Sequence, residues 1–339
     1  MKRKEFISLS GAGIFFSSFK KSTHQHGTSV GTLIPPYLKK GDKIGITSPA
    51  GFIMPEDLQP AISSIENWGL KVKIGSSIGK RENTFGGTDE ERRKDFQTML
   101  NDPEIKAIMC ARGGYGIIRF IDMLDFNYFQ KHPKWIIGFS DITVLHSHIN
   151  RNFGIASIHS KMCNSFPSDI NNAEQVQVKS IESIRKAMMG REMTYSGSTN
   201  AFNRSGNGVG ILVGGNLKTL ETLSGTKSDL NTTNKILFVE DIGEYLYSID
   251  RMFWNLKRTG KLSGLKGLIV GGFKIKPDDP GEDFGKSLFD IVLEKVKKYS
   301  YPVCFDFPVG HQKENYALKC GVRHNLIVST SGSSLVEIN

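Results

Sequence analysis

Between Asp42 and Ile149 the chain repeats one pattern: a short apolar run, a turn, then a stretch with helical spacing. The runs at 43–47, 72–74, 105–110 and 135–137 are short enough for strands. Segments 55–67, 89–100 and 117–124 lie between or after them with helical character, and Ile142, Leu145 and Ile149 mark one more helix face. Strands alternating with helices need crossover connections, which makes the sheet parallel and covers both of its faces. The expectation is an α/β protein whose N-terminal domain is a Rossmann/flavodoxin-like parallel sheet, spanning 33–190.

A helical pattern at 173–189 stops at Gly190, and the polar, Gly/Ser/Asn-rich stretch that follows makes 191–207 a linker. A second domain is expected over 208–330. Its strands are expected at 208–213, 236–240 and 265–270, with short ones at 303–307, at Val322 and at 326–329. Leu246, Ile249, Phe253 and Leu256 define one helix face ending before Gly260, and 287–299 reads as another helix. A length of 339 residues suits two domains and supports a core without disulfide or metal staples.

Composition removes several classes. Mean hydropathy is −0.26, and no uncharged apolar stretch approaches the ~18 residues of a transmembrane helix, so stable membrane insertion is not expected. Of the net charge of +10, the first 21 residues supply +4 and the remaining +6 is spread without a basic block of five or more, which argues against nucleic-acid binding. Cys110, Cys163, Cys304 and Cys320 are far apart and read as buried free thiols rather than a zinc or redox pair. No metal is expected: His146 and His148 are two apart on a helix and point apart, and His24 and His26 sit in the polar lead. Gly281 and Gly285-Lys286-Ser287 mimic a P-loop with one residue too few, after a turn instead of a strand. Gly208, Gly210, Gly214 and Gly215 lack dinucleotide spacing, as does Gly113-Gly114-x-Gly116, although the latter follows a strand. No cofactor is expected.

Residues 1–22 read as an address. Lys2-Arg3-Lys4 precedes an uncharged run from Phe6 to Phe19, closed by Lys20 and Lys21. That is the layout of a signal peptide, and Arg3-Lys4-Glu5-Phe6-Ile7 resembles a twin-arginine signal with lysine in the second position. Export to the periplasm is expected, with a basic tail on a cytoplasmic enzyme as the alternative.

The sharpest chemical feature is Gly138-Phe139-Ser140-Asp141-Ile142-Thr143. A strand ends at Gly138 and a helix begins near Asp141, so Ser140 sits on a tight strand-to-helix turn. Such a turn exposes the hydroxyl at the carboxyl edge of the sheet and aims the next N–H at the same point. Taken alone, Ser140 reads as a helix N-cap. A nucleophilic serine needs a base and an orienting group. Glu240 ends the expected strand at 236–240, and His311 follows Phe307-Pro308-Val309-Gly310 in a turn; each alone is an ordinary strand-end carboxylate or loop histidine.

Taken together, six ordered segments resemble the LD-carboxypeptidase family, the muramoyl-tetrapeptide carboxypeptidases. They are Ala111-Arg112-Gly113-Gly114-Tyr115-Gly116, Gly138 to Thr143, Gly214-Gly215-Asn216-Leu217, Val239-Glu240-Asp241, Ile249-Asp250-Arg251 and Phe307 to His311. The resemblance runs over roughly 33–328 and implies a parallel α/β domain joined to a smaller, β-rich, swivelling C-terminal domain, with the site between them. It implies a serine peptidase in which Ser140 is the nucleophile, Glu240 orients and His311 is the base. The backbone N–H of Asp141, with that of Gly114 chosen over Gly113, would form the oxyanion hole. The implied reaction releases the terminal D-alanine of a muropeptide tetrapeptide, and the implied assembly is a homodimer. Arg112 and Arg251 are the candidates for holding the substrate's free carboxylate. The alternatives are a self-immunity peptidase of the same superfamily that cleaves aminoacyl-nucleotide antibiotics, and a non-catalytic muropeptide-binding protein. A nucleotide-binding oxidoreductase is a more distant third.

Overall fold

A computed structural model describes residues 32–338; the leader expected at 1–22 lies outside the described residues. The first sheet holds β1 (Lys43–Thr47), β2 (Lys71–Ile74), β3 (Ile105–Cys110), β4 (Trp135–Gly138) and β5 (Ser157–His159). The second holds β6 (Thr194–Gly197), β7 (Gly206–Asn216), β8 (Lys235–Ile242), β9 (Gly267–Lys274) and β10 (Val303–Cys304). β11 (Leu318–Cys320) returns to the first sheet, while β12 (Arg323–Ser329) and β13 (Gly332–Glu337) extend the second. The orders are β11-β5-β4-β3-β1-β2 and β10-β9-β8-β7-β12-β13-β6. β1 to β5 run parallel, as do β7 to β10, whereas β11, β12, β13 and β6 pair antiparallel.

The expected βα alternation is present, with local differences. Residues 117–124 form two short 3-10 turns, Ile117–Arg119 and Ile121–Met123, in place of a helix; their N-terminal glycine, Gly116, sits at φ +141°, outside helical space. The segment expected as a linker carries β6, whose Tyr195 is buried and donates to the Ala317 carbonyl. Strand β13 lies beyond the expected end at 330 and alternates buried and half-buried residues, the pattern of a strand with one covered face. The expected strand at 303–307 is reduced to Val303–Cys304.

Both sheets bury large apolar faces. Trp135, Ile137, Ile158 and Ala107 pack with Ile65, Ile181 and Ile184 on one side of the first sheet, and Ile108, Ile136, Phe96, Phe129 and Ile149 on the other. In the second sheet Leu237, Val239 and Val270 meet Ile249, Phe253 and Leu256 of helix Leu246–Arg258. All four cysteines are buried and free. At ~1.5–3 kcal/mol for each fully buried large side chain, these faces outweigh any single polar interaction in the fold.

Helix Thr143–Phe153 joins the two sheets. Its first residue sits on the end of β7, where the Thr143 hydroxyl accepts from the Asn216 N–H at 3.0 Å. Gly215 (φ +144°) permits this, because a Cβ there would lie 2.7 Å from Thr143 Cγ2. Further along, His146 Nε2 donates to the Gly138 carbonyl at 2.9 Å and His148 meets Ser228 at 2.9 Å, so the two histidines do point to different partners.

Four buried imidazoles, His146, His148, His159 and His324, shape the response to acid, since burial lowers the pKa of each. Burial pushes His146 and His324 down to about 4 and His159 well below the usual histidine range. Between the unfolded value of ~6.5 and its folded value such a ring takes its proton on unfolding, so stability is complete above ~6.5 and falls through that window by up to ~1.4 kcal/mol per unit per group. Asp141 and Asp241 act oppositely. Burial raises both carboxyls to about 6, so the folded chain takes up their protons first, and acid between pH 6 and ~4 favours it. His159 has no hydrogen-bond partner at either ring nitrogen and lies 4.9 Å from Phe238 and 5.8 Å from Phe139. In urea titrations at pH 6 and pH 5, His159→Leu is expected to lose about 1.4 kcal/mol less stability per pH unit than the parent; equal slopes would remove the histidine from this account.

Candidate active site

Ser140, Glu240 and His311 come from three separate parts of the chain. Ser140 follows β4, whose four residues are all buried. Phe139 is extended, and Ser140 then adopts φ +63° before the turn Ser140–Ile142 leads into the helix. The other non-glycine residues with positive φ among the described residues are Asn83, Asn234 and Asp306. Asn and Asp tolerate this region, and serine does so less readily, so the turn stores strain of ~1–3 kcal/mol. Burial of Phe139, Ile142, Val144 and Leu145 around the turn exceeds that cost. The N-cap reading of Ser140 does not hold: neither the turn nor the helix begins with a side-chain cap. The serine sits on a strained elbow and is half-buried.

Glu240 lies at the carboxyl end of β8, opposite Asn216 of β7, where the register against β9 shifts between Val239 and Asp241. The irregularity lets two consecutive carboxylates be buried and serve different partners. Asp241 accepts from Asn216 Nδ2 at 2.8 Å and from the Lys218 N–H at 2.9 Å. Glu240 Oε2 takes His311 Nδ1 at 2.5 Å, and Oε1 has no partner. The glutamate side chain is fully buried, and the imidazole is 12% exposed. A buried carboxylate is costly unless paired, so this hydrogen bond orients both groups.

Gly310 makes the pair possible. It adopts φ +102°, and a Cβ there would run into Glu240 Cβ and lie 2.7 Å from its Cγ. Its N–H donates to Asn315 Oδ1 at 2.9 Å, and the loop is tied to β9 by Gly272 N–H donating to the Val309 carbonyl at 2.8 Å. The His311 ring then packs at 4.8 Å on Phe139, the residue before Ser140.

The glycine loop after β3 closes over the serine. The Cα of Gly113 faces Ser140: a Cβ there would be 3.2 Å from Oγ. Gly114 (φ +117°) is exposed beside Gly51, whose N–H donates to the Gly113 carbonyl at 2.9 Å. The buried Asp141 carboxylate anchors the far end of the loop by accepting from the Ile117 N–H at 3.0 Å. Buried Arg92 backs the loop, donating to the Pro49 carbonyl at 2.8 Å with its guanidinium against Gly116.

The structure brings Glu240 and His311 together beside the Ser140–Asp141 turn, with Gly113 of the glycine loop against Ser140. Gly114 and Arg112 lie on that same loop, both exposed, Gly114 beside Gly51 and Arg112 donating to the Phe52 carbonyl at 3.1 Å. Arg251 is elsewhere. It lines a cavity with Glu221, Trp254, Asn255, Arg258 and Thr259, none of which belongs to the triad. On helix Leu246–Arg258 its neighbours are the exposed aromatics of that face, with its guanidinium 5.5 Å from the Tyr247 ring. Among the described residues no group of three His, Cys, Asp or Glu is placed to hold a metal ion. Lys161 escaped the sequence reading. It follows β5, a strand of three residues with no periodic signal, yet its Nζ donates to the Gln312 carbonyl at 2.8 Å, next to His311.

Residues 44–160 match the LD-carboxypeptidase N-terminal domain and residues 209–326 its C-terminal domain. The chain belongs to the LD-carboxypeptidase family. It is 34% identical over 291 residues to a probable murein peptide carboxypeptidase of Bacillus subtilis, covering 85% of this chain and 90% of that one. The crystal structure of muramoyltetrapeptide carboxypeptidase from Oxalobacter formigenes superposes with a TM-score of 0.78 at 29% identity, covering 88% of this chain and 99% of that one. Microcin C7 self immunity protein MccF in complex with aspartyl sulfamoyl adenosine shares the fold at a TM-score of 0.77 and 22% identity, covering 90% and 99%. In this LD-carboxypeptidase chain the two family domains carry different parts of the site: Ser140 and the glycine loop lie in the first, Glu240 and His311 in the second.

Gly310→Ala is expected to displace His311 from Glu240 and lower hydrolytic turnover by about 10²-fold, the scale of an ~1 Å misplacement. Circular dichroism should show the fold retained; turnover within twofold of the parent would contradict the close-approach argument.

Proposed function

We propose that this protein is a serine LD-carboxypeptidase that hydrolyses the L,D bond before the terminal D-alanine of muropeptide tetrapeptides. The observation that carries the reading is the Glu240–His311 hydrogen bond, with the imidazole packed beside the Ser140 elbow. The family's relatives named for murein and muramoyl-tetrapeptide substrates support the substrate class.

His311 Nδ1 faces Glu240, which leaves Nε2 as the base that accepts the Ser140 proton. Ser140 Oγ attacks the carbonyl carbon of the scissile bond. The developing oxyanion takes hydrogen bonds from the Asp141 N–H and from the glycine loop, each worth ~3 kcal/mol to the transition state. Gly114 is the loop donor expected from the sequence, and Gly113 is the glycine lying against Oγ. Collapse of the tetrahedral intermediate breaks the C–N bond, and His311 gives its proton to the departing amine. Water, deprotonated by His311, then releases the acyl group from Ser140. Glu240 holds the imidazole tautomer and stabilises the imidazolium while remaining ionised.

If the leader at 1–22 directs export, the substrate is wall-derived peptide outside the inner membrane; cell fractionation tests that placement. The homodimer implied by the family is tested by sedimentation of the purified protein.

Mass spectrometry of a defined mixture of tri-, tetra- and pentapeptide muropeptides should show tetrapeptide converted to tripeptide with D-alanine released. Ser140→Ala and His311→Ala should each lower kcat by about 10⁶-fold and Glu240→Ala by about 10⁴-fold. Undiminished release by Ser140→Ala would refute the mechanism, and hydrolysis of an aminoacyl-nucleotide conjugate with no action on muropeptides would assign the self-immunity activity instead.

A further inference from the structure

A carboxypeptidase must grip a free carboxylate, and Arg251 is not in the cleft to do so. The half-buried Lys161 is better placed. Its Nζ donates one hydrogen bond, to the Gln312 carbonyl at 2.8 Å, and lies 6.0 Å from the centre of the Phe139 ring. Phe139 precedes the nucleophile and Gln312 follows the base, so this ammonium is bracketed by the two catalytic segments. Among the described residues no carboxylate pairs with it, although an ammonium has three hydrogens to give. Burial, and then the neighbouring Lys274, hold its pKa below the usual lysine range. Glu240 acts on it from a distance in the opposite sense, without pairing; a partly desolvated ammonium with donors to spare is a site suited to an anion.

The cavity beside it has the right size and polarity. It measures about 260 Å³ and is lined by Lys161, Ser165, Glu174, Val176, Gln177 and Lys313. That is below the ~300–1,000 Å³ of sites for drug-sized ligands and suits one small residue. At its mouth Lys313 is already paired with Glu174 at 2.7 Å, and both side chains are exposed. The unpaired charge is the inner one.

The direction of the reaction decides which substrate carboxylate belongs there. His311 hands its proton to the departing amine, so the departing residue lies on the His311 side of Ser140 and the acyl portion on the glycine-loop side. The free carboxylate of a departing amino acid is two bonds from that amine. We propose that Lys161 binds the terminal carboxylate of the departing D-amino acid, and that the adjoining cavity accepts its side chain. This rests on the carboxypeptidase reading above and adds to it the residue that makes the enzyme act on chain ends.

The test separates binding from turnover. In the Ser140→Ala background, titration calorimetry measures affinity for a tetrapeptide with a free terminal carboxylate and for the same peptide as its terminal amide, with Lys161 intact and with Lys161→Met. The expected result is that Lys161→Met weakens the acid form by about tenfold or more, the scale of a charge-assisted hydrogen bond, and leaves the amide form unchanged. Lys161→Arg should retain most of the preference for the acid form. Equal weakening of both peptides would mean that Lys161 only steadies the His311 loop, and would overturn the proposal, as would no weakening of either. If the parent enzyme turns over tetrapeptide while Lys161→Met keeps the full preference for the acid form, the proposal alone fails. If the parent neither binds nor cleaves the tetrapeptide, the carboxypeptidase reading fails along with it.

Discussion

The seat of Thr143 on the end of β7 sets the distance between the element that presents the nucleophile and the sheet that presents its partners. The hydrogen bond from Asn216 N–H to Thr143 Oγ1 is possible because Gly215 brings the two backbones together without a Cβ between them. Three residues before Thr143 is Ser140, and directly across the β7–β8 ladder from Asn216 is Glu240. One contact between two glycine-thinned backbones thus references the serine and the glutamate to the same point. Asn216 extends that reference by its side chain: Nδ2 donates to Asp241, and Oδ1 accepts from Thr219 to start the next helix. The Gly214-Gly215-Asn216-Leu217 segment is structural machinery, although it lies among the catalytic segments.

Legibility in the sequence followed physical scale. The βα alternation was readable because strands β1, β3 and β4 are apolar runs bounded by turns, and burial on both faces requires that composition. The elbow was readable because a strand, one polar residue and a helix in succession leave little choice of turn. Glu240 and His311 were readable only as a set, in order, through the family resemblance; each carries no local signal. The misses have causes. Strands β5 and β11 are three residues long and are stabilised by their partners rather than by pattern. Strand β6 sits in a stretch whose serines and glycines read as a loop, and it forms because β13 supplies its ladder. Arg251 resembled a carboxylate fork by position in a motif, but its guanidinium lies over Tyr247 and it lines a cavity to which no triad residue contributes. Lys161 had no signal, since its importance comes from a backbone carbonyl 151 residues away.

Charge is distributed around the site by depth. Asp141 and Asp241 are buried behind the glycine loop and the β7 turn, where burial raises both to about 6 and backbone N–H groups hold them. Glu240 is as deep, with an imidazole for a partner. Arg112 and Lys161 stand nearer the opening, one on the glycine loop and one on the histidine side. Fixed carboxylates thus hold the backbone and the base from behind, while the cations are the more exposed charges.

Strand β11 closes the nucleophile's own sheet from near the far end of the polypeptide. It pairs Leu318 with His159 and Cys320 with Ser157, at the edge next to the strand that carries the elbow. A chain lacking residues 318–320 would leave the outer edge of β5 without a ladder partner.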